Sequence, residues 1–114
     1  MKKNLIVVTG GAGFVGSNLI SLLLKKTKFK IISIDDYSTG KKKNHFNNRR
    51  VTYIKGNTKN INQILKKKKY QIKTIFHFGE FSRIYQSFLK MSDCIDSNTI
   101  GSNEVFNFCL SNKI

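Results

Sequence analysis

The stretch Val7-Val8-Thr9-Gly10-Gly11-Ala12-Gly13-Phe14-Val15-Gly16 carries the fold of this chain. An apolar run, Lys3–Thr9, leads into it and predicts a buried strand. Phe14–Lys26 leads out with helical spacing of its apolar residues and ends in lysines that suit a helix C-terminus. Gly11, Gly13 and Gly16 fit G-x-G-x-x-G at a strand-to-helix turn, the context that gives the pattern a mechanical meaning. The sharp turn needs a residue tolerant of positive φ. The backbone must also approach a pyrophosphate closely, which a Cβ would prevent. The helix N-terminus then offers N–H groups and a positive dipole end to the phosphates. Gly16, in the first helical turn, allows close packing of helix on sheet.

Lys30–Asp35 (KIISID) reads as a second strand, and Asp35 falls 19 residues beyond Gly16. An acid at that point accepts hydrogen bonds from an adenosine ribose. Asp36 adds a second carboxylate. Negative charge there repels a 2′-phosphate, so the pattern favours NAD over NADP. Asp36–Arg50 is polar and reads as a loop with room for a short helix. Val51–Lys55 is a third strand, Asn60–Lys69 a short helix and Lys73–Phe78 (KTIFHF) a fourth strand. Phe81–Lys90 and Asp93–Asn112 read as helices. Alternation of this kind predicts an α/β fold, a Rossmann-type doubly wound parallel sheet. The expected strand order is 3-2-1-4, with helices on both faces. Residues 1–114 make one domain.

With these segments in register, the sequence resembles the extended short-chain dehydrogenases/reductases. Within them it is similar to the NAD-dependent epimerase/dehydratase group, nucleotide-sugar epimerases of the UDP-glucose 4-epimerase kind included. Thr9-Gly10-Gly11-Ala12-Gly13-Phe14-Val15-Gly16-Ser17 resembles their T-G-x-x-G-x-x-G loop. Asp35-Asp36-Tyr37-Ser38-Thr39-Gly40 resembles their D-N-x-x-x-G stretch, and Asn98-Thr99-Ile100-Gly101-Ser102 their N-x-x-G-T segment. His77-Phe78-Gly79-Glu80-Phe81-Ser82-Arg83 is similar to a run in some bacterial members.

The resemblance implies roles residue by residue. Gly10, Gly11, Gly13, Phe14, Val15 and Gly16 would hold the pyrophosphate of NAD. Asp35 would take the adenosine ribose, with Asp36, Ser38, Thr39 and Gly40 lining that end. Gly56-Asn57-Thr58 matches a segment whose usual acid accepts from the adenine amino group, and the Asn57 amide oxygen can take the same bond. Phe78-Gly79-Glu80 stands where a small pair usually passes under the cofactor; Gly79 fits, and Glu80 would touch substrate or ribose. Asn98 would lie near the nicotinamide, or else cap the last helix. His77, on a buried strand, reads first as a hydrogen-bonded core residue, and Ser102 as a small residue at a helix contact.

The family's chemistry rests on Tyr-x-x-x-Lys along one helical face. Tyr37-Ser38-Thr39-Gly40-Lys41 matches literally but lies in the loop beside the adenosine acid, so it is rejected. No catalytic residue is assigned within 1–114. The resemblance places the catalytic pair, the remaining strands and the sugar-nucleotide domain beyond Ile114. The chain then reads as the cofactor part of an enzyme that oxidises and re-reduces a sugar hydroxyl, a homodimer once complete with its C-terminal half. The competing classes are a stand-alone NAD-binding module, half of a split enzyme, and a basic nucleic-acid-binding domain.

The formal charge of +15 raises that last class. The cations are 18 Lys against 3 Arg, whereas base readout favours Arg. Lys, Asn and Ile supply 44 of 114 residues while Ala occurs once and Pro never, a bias toward AT-rich codons that accounts for the lysines without a polyanionic partner. No nucleic-acid partner is expected. The apolar run after Lys2-Lys3 is too short for a signal peptide and no segment suits a membrane span, so a cytoplasmic location without membrane contact is expected. Cys94 and Cys109 read as buried free thiols, and no metal site is expected. Phe76, Phe78, Phe106 and Phe108 should be partly uncovered.

Overall fold

The computed structural model describes residues 2–79 and 91–114. Four strands, β1 (Leu5–Thr9), β2 (Lys30–Asp35), β3 (Val51–Lys55) and β4 (Ile72–His77), form one sheet in the order β3-β2-β1-β4. All three pairings are parallel. The expected order and direction are therefore observed. β1 is buried at every residue and β2 at all but Lys30, as befits central strands covered on both faces.

Alternation along β1 divides the core. Leu5 and Val7 point to one face and join Ile32 and Ile34 of β2, with Ile61, Leu65, Val105 and Phe108 from the covering helices. Ile6 and Val8 point to the other, where helix α1 (Phe14–Lys26) brings Ile20 and Leu23. The register pairs Val7 with Ile32 and Ile6 with Ile31, so cross-strand partners share a face. A register shift between Leu5 and Ile6 lets β4 begin at Ile72, which is fully buried.

α1 ends in Lys25 and Lys26, and its last carbonyls are also held from a distance. The Arg50 guanidinium donates to the carbonyls of Leu24, Thr27 and Phe29, closing the C-terminus of α1 against the entry to β3. Arg50→Ala strands those carbonyls. It is expected to lower unfolding free energy by about 2 kcal/mol, seen as a lower denaturant midpoint with an unchanged slope.

The helix expected over Asn60–Lys69 is not continuous. Two 3₁₀ turns (Thr58–Asn60 and Lys69–Gln71) flank a single α turn, α2 (Ile61–Ile64). Ile61 and Leu65 are buried, but Lys66–Lys69 offer no apolar side chain to the sheet and set like charges a turn apart. The last helical run is α3 (Met91–Ile95), a π-helical segment (Asp96–Gly101) and α4 (Ser102–Asn112). The helix expected over Phe81–Lys90 lies outside the described residues.

Phe108 corrects its expectation: it is 1% exposed, packed in the core under α4. Phe106 and Phe78 are exposed as expected, and Phe76 is half-buried. Cys109 is a half-buried free thiol, pushed up in pKa by its burial; the Cys94 side chain lies outside the description. Among the described residues no helix is long and apolar enough to cross a membrane, and no cluster of His, Cys, Asp or Glu could hold a metal.

Candidate functional site

The loop between β1 and α1 and the C-terminal ends of all four strands enclose a cavity of about 570 Å³. It sits at the carboxyl edge where the strand order reverses, between β1 and β4, the place open α/β sheets use for ligands.

Glycine makes the floor possible. Gly10 has φ +74°, and its N–H donates to the Ile34 carbonyl at 2.7 Å. A Cβ on Gly10 would stand 2.7 Å from the Phe78 carbonyl carbon and oxygen. One on Gly16 would fall on the Gly10 carbonyl oxygen, so α1 could not start so close to the sheet. Gly13 differs, since a Cβ there would meet only the Gly10 oxygen at 3.4 Å and otherwise project into open space. Gly13 is the N-cap of α1 and supplies no side-chain cap, and the first turn carries no acid. The positive end of the helix is thus presented to the cavity with Gly13, Phe14, Val15 and Gly16 in its wall. Gly11 is absent from that wall; its missing Cβ makes room for Ser33 and Ile20 behind the loop. The glycines at 10, 13 and 16, rather than 11, 13 and 16, face the cavity.

Asp35 closes the opposite side. It is 8% exposed, and its carboxylate accepts from Ala12 N at 2.9 Å and Tyr37 N at 2.8 Å. A single acid thus ties the glycine loop to the segment after β2. The Ala12 carbonyl strengthens this link by accepting from Lys41 N and Asn44 Nδ2. Asp36 accepts from Ser38 N and Oγ, which folds Ser38, Thr39 and Gly40 into the rim. Asn57 Oδ1 accepts from Lys59 N and caps the turn at Thr58–Asn60, so one of its lone pairs is already used. Thr58, Phe78 and Gly79 complete the wall together with Ile34, Gly56 and His77, which the sequence reading had not assigned to the site. Glu80 lies outside the described residues. Asn98 lies in the π-helical segment and is not among the described residues that line the cavity.

His77 is hydrogen-bonded through both ring nitrogens: Nδ1 is 2.6 Å from Thr9 Oγ1, and Nε2 is 2.9 Å from the buried Ser102 hydroxyl. Thr9 Oγ1 also accepts from Gly79 N at 2.9 Å. The imidazole therefore links the ends of β1 and β4 to α4, and Ser102 is more than a small contact residue.

Tyr37 occupies left-handed backbone, with φ +62°. Its hydroxyl lies 2.7 Å from His45 Nε2 rather than beside Lys41 on a helix. Burial, then the Asp35 carboxylate and Tyr53, push its pKa above the usual tyrosine value. A proton-abstracting tyrosine needs the opposite shift, and residues 37–41 form no helix that would set Tyr37 and Lys41 on one face.

The sequence model of the NAD dependent epimerase/dehydratase family matches residues 6–114. The chain belongs to that family. Over 39 residues it is 51% identical to UDP-glucuronic acid decarboxylase 6 of Arabidopsis thaliana, a match that covers 34% of this chain and 11% of that protein. A UDP-N-acetylglucosamine 4-epimerase from Methanobrevibacter ruminantium, solved with UDP-N-acetylmuramic acid, is 29% identical. It superposes with a TM-score of 0.81 over 100% of this chain and 36% of its own. WbmG of Bordetella bronchiseptica, solved with NAD, shares the fold at 23% identity and TM-score 0.83, over 96% of this chain and 34% of its own. The chain thus spans about a third of the length of these two solved proteins.

Proposed function

We propose that the cavity binds NAD and that this chain is the cofactor-binding part of a nucleotide-sugar epimerase or dehydratase. One observation carries the reading: an uncapped helix N-terminus behind a glycine-lined loop and a buried carboxylate face the same cavity. That donor and acceptor set matches a pyrophosphate joined to an adenosine ribose. Gly10, Gly13 and Gly16, with Phe14 and Val15 at the mouth, would hold the pyrophosphate. Asp35 would accept from the ribose through lone pairs left by its two amide bonds, with Asp36, Ser38, Thr39 and Gly40 around it. Asn57 and Thr58 would border the adenine, while Gly79 and Phe78 would run beneath the dinucleotide toward its nicotinamide end. Bound NAD would supply removal and return of hydride at a sugar carbon. This chain's residues bind and orient; none of the described ones places a tyrosine–lysine pair at the cavity.

That placement favours a second reading, a binding module that turns nothing over by itself. Residues 1–114 expressed alone are expected to bind NAD and to leave UDP-sugars unchanged; epimerisation abolished by Tyr37→Phe would reverse the rejection of Tyr37.

Amide chemical-shift mapping tests the cavity assignment. Added NAD should move Gly13, Gly16, Asp35 and Gly40 and leave Lys66–Lys69 in place. Shifts confined to the lysine edge would overturn the reading.

A further inference from the structure

Outside the cavity wall, three rings form a cluster that the proposed NAD site does not use, with Tyr37 tilted 56° to His45 at 5.7 Å. His45 stacks on Tyr53 of β3 with ring centroids 3.7 Å apart and planes 6° from parallel. Its Nε2 reaches the Tyr37 hydroxyl at 2.7 Å, while Tyr53 Oη accepts from Phe46 N at 2.8 Å. None of the three lines the cavity.

We propose that His45 is a positioning residue for the adenosine end of the site, acting on Asp35 through Tyr37. The mechanical path is short. Tyr37 holds a left-handed backbone conformation that a non-glycine residue adopts only at a cost. In that conformation its N–H donates to Asp35 Oδ1, while Asp35 Oδ2 accepts from Ala12 in the glycine loop. Two bonds oppose the strain: the amide contact to Asp35 and the hydroxyl contact to His45. The stack on Tyr53 anchors His45 to the rigid sheet rather than to the loop it holds. Releasing the hydroxyl contact lets Tyr37 relax, which frees the carboxylate to rotate and loosens Ala12. His45 thereby sets the orientation of the ribose acceptor without contacting the ligand.

The inference rests on the reading of the cavity as a dinucleotide site, and its test separates the two. His45→Phe keeps a ring on Tyr53 and removes the nitrogen; Tyr37→Phe removes one oxygen. Each should weaken NAD and adenosine monophosphate alike by about fivefold, the worth of one neutral hydrogen bond. The double variant should lose the same fivefold rather than its square, because both changes cut one contact. In the ligand-free protein each should speed hydrogen exchange at the Ala12 amide and lower the melting temperature by only a few degrees, the cost of one hydrogen bond. Unchanged Ala12 exchange with unchanged adenosine monophosphate affinity, or losses that multiply in the double variant, would overturn the proposal. If the unsubstituted chain binds neither ligand, the dinucleotide reading fails, and Ala12 exchange still decides whether His45 orients Asp35.

Discussion

Replacing Gly10 with alanine is expected to lower the unfolding free energy by about 3 kcal/mol, summing a left-handed penalty and an overpacked contact. Both causes are local and visible. The backbone turns at φ +74°, and the added carbon meets Phe78 backbone atoms at 2.7 Å. Backbone is the wrong neighbour to push, because the Phe78 N–H is itself bonded to the Thr9 carbonyl. For a domain of this size such a loss lowers the melting temperature by more than about 10 °C. Gly13→Ala makes the contrast. Its Cβ has only a 3.4 Å neighbour, so the fold should survive with little change in melting temperature. The same carbon occupies the surface assigned to the pyrophosphate, so NAD affinity should fall by at least about tenfold. Calorimetric melting beside NAD titration separates the two effects. Equal melting temperatures for both variants would contradict the account of the turn.

The second large effect belongs to Asp35. Asp35→Ala removes the acceptor of two amides, Ala12 N and Tyr37 N, along with the proposed ribose contact. A stranded amide costs about 1–3 kcal/mol, and a lost bond to a charged group about 1.5–3 kcal/mol. NAD affinity should therefore drop by about two orders of magnitude, with a lower melting temperature. Asp35→Asn keeps one acceptor oxygen and should fall between the two. Asp35→Ala should also narrow the preference for NAD over NADP, since it removes a buried charge that repels the 2′-phosphate. Full NAD affinity in Asp35→Ala would remove Asp35 from the site.

Much of this was legible in the chain because the determinants are local. Short continuous apolar runs, a glycine-bearing turn and a helix ending in lysines each signal themselves within a dozen residues. The α2 region deceived because apolar spacing at Ile61, Ile64 and Leu65 looks helical, whereas four consecutive lysines have nothing to pack against. The generic G-x-G-x-x-G pattern falls on Gly11, Gly13 and Gly16, whereas the T-G-x-x-G-x-x-G loop of the resemblance falls on Gly10, Gly13 and Gly16, the three that line the cavity. Phe106 faces outward and Phe108 the core, because two residues along a helix turn a side chain to the opposite side. The cluster of Tyr37, His45 and Tyr53 leaves no pattern, because its members meet only after β3 pairs with β2. Ser102 looked like a spacer until β4 brought His77 beside it.

The central claim is that a buried carboxylate selects the ligand of this cavity. Lys41, Lys42 and Lys43 lie on the same loop and would attract an extra phosphate, but they are exposed, and water and salt screen them in a way that does not apply to Asp35. Calorimetric titration of the unsubstituted chain with NAD and with NADP, at one salt concentration, weighs these charges directly. NAD is expected to bind at least about tenfold more tightly; NADP binding as tightly as NAD, or more so, would contradict the role given to Asp35.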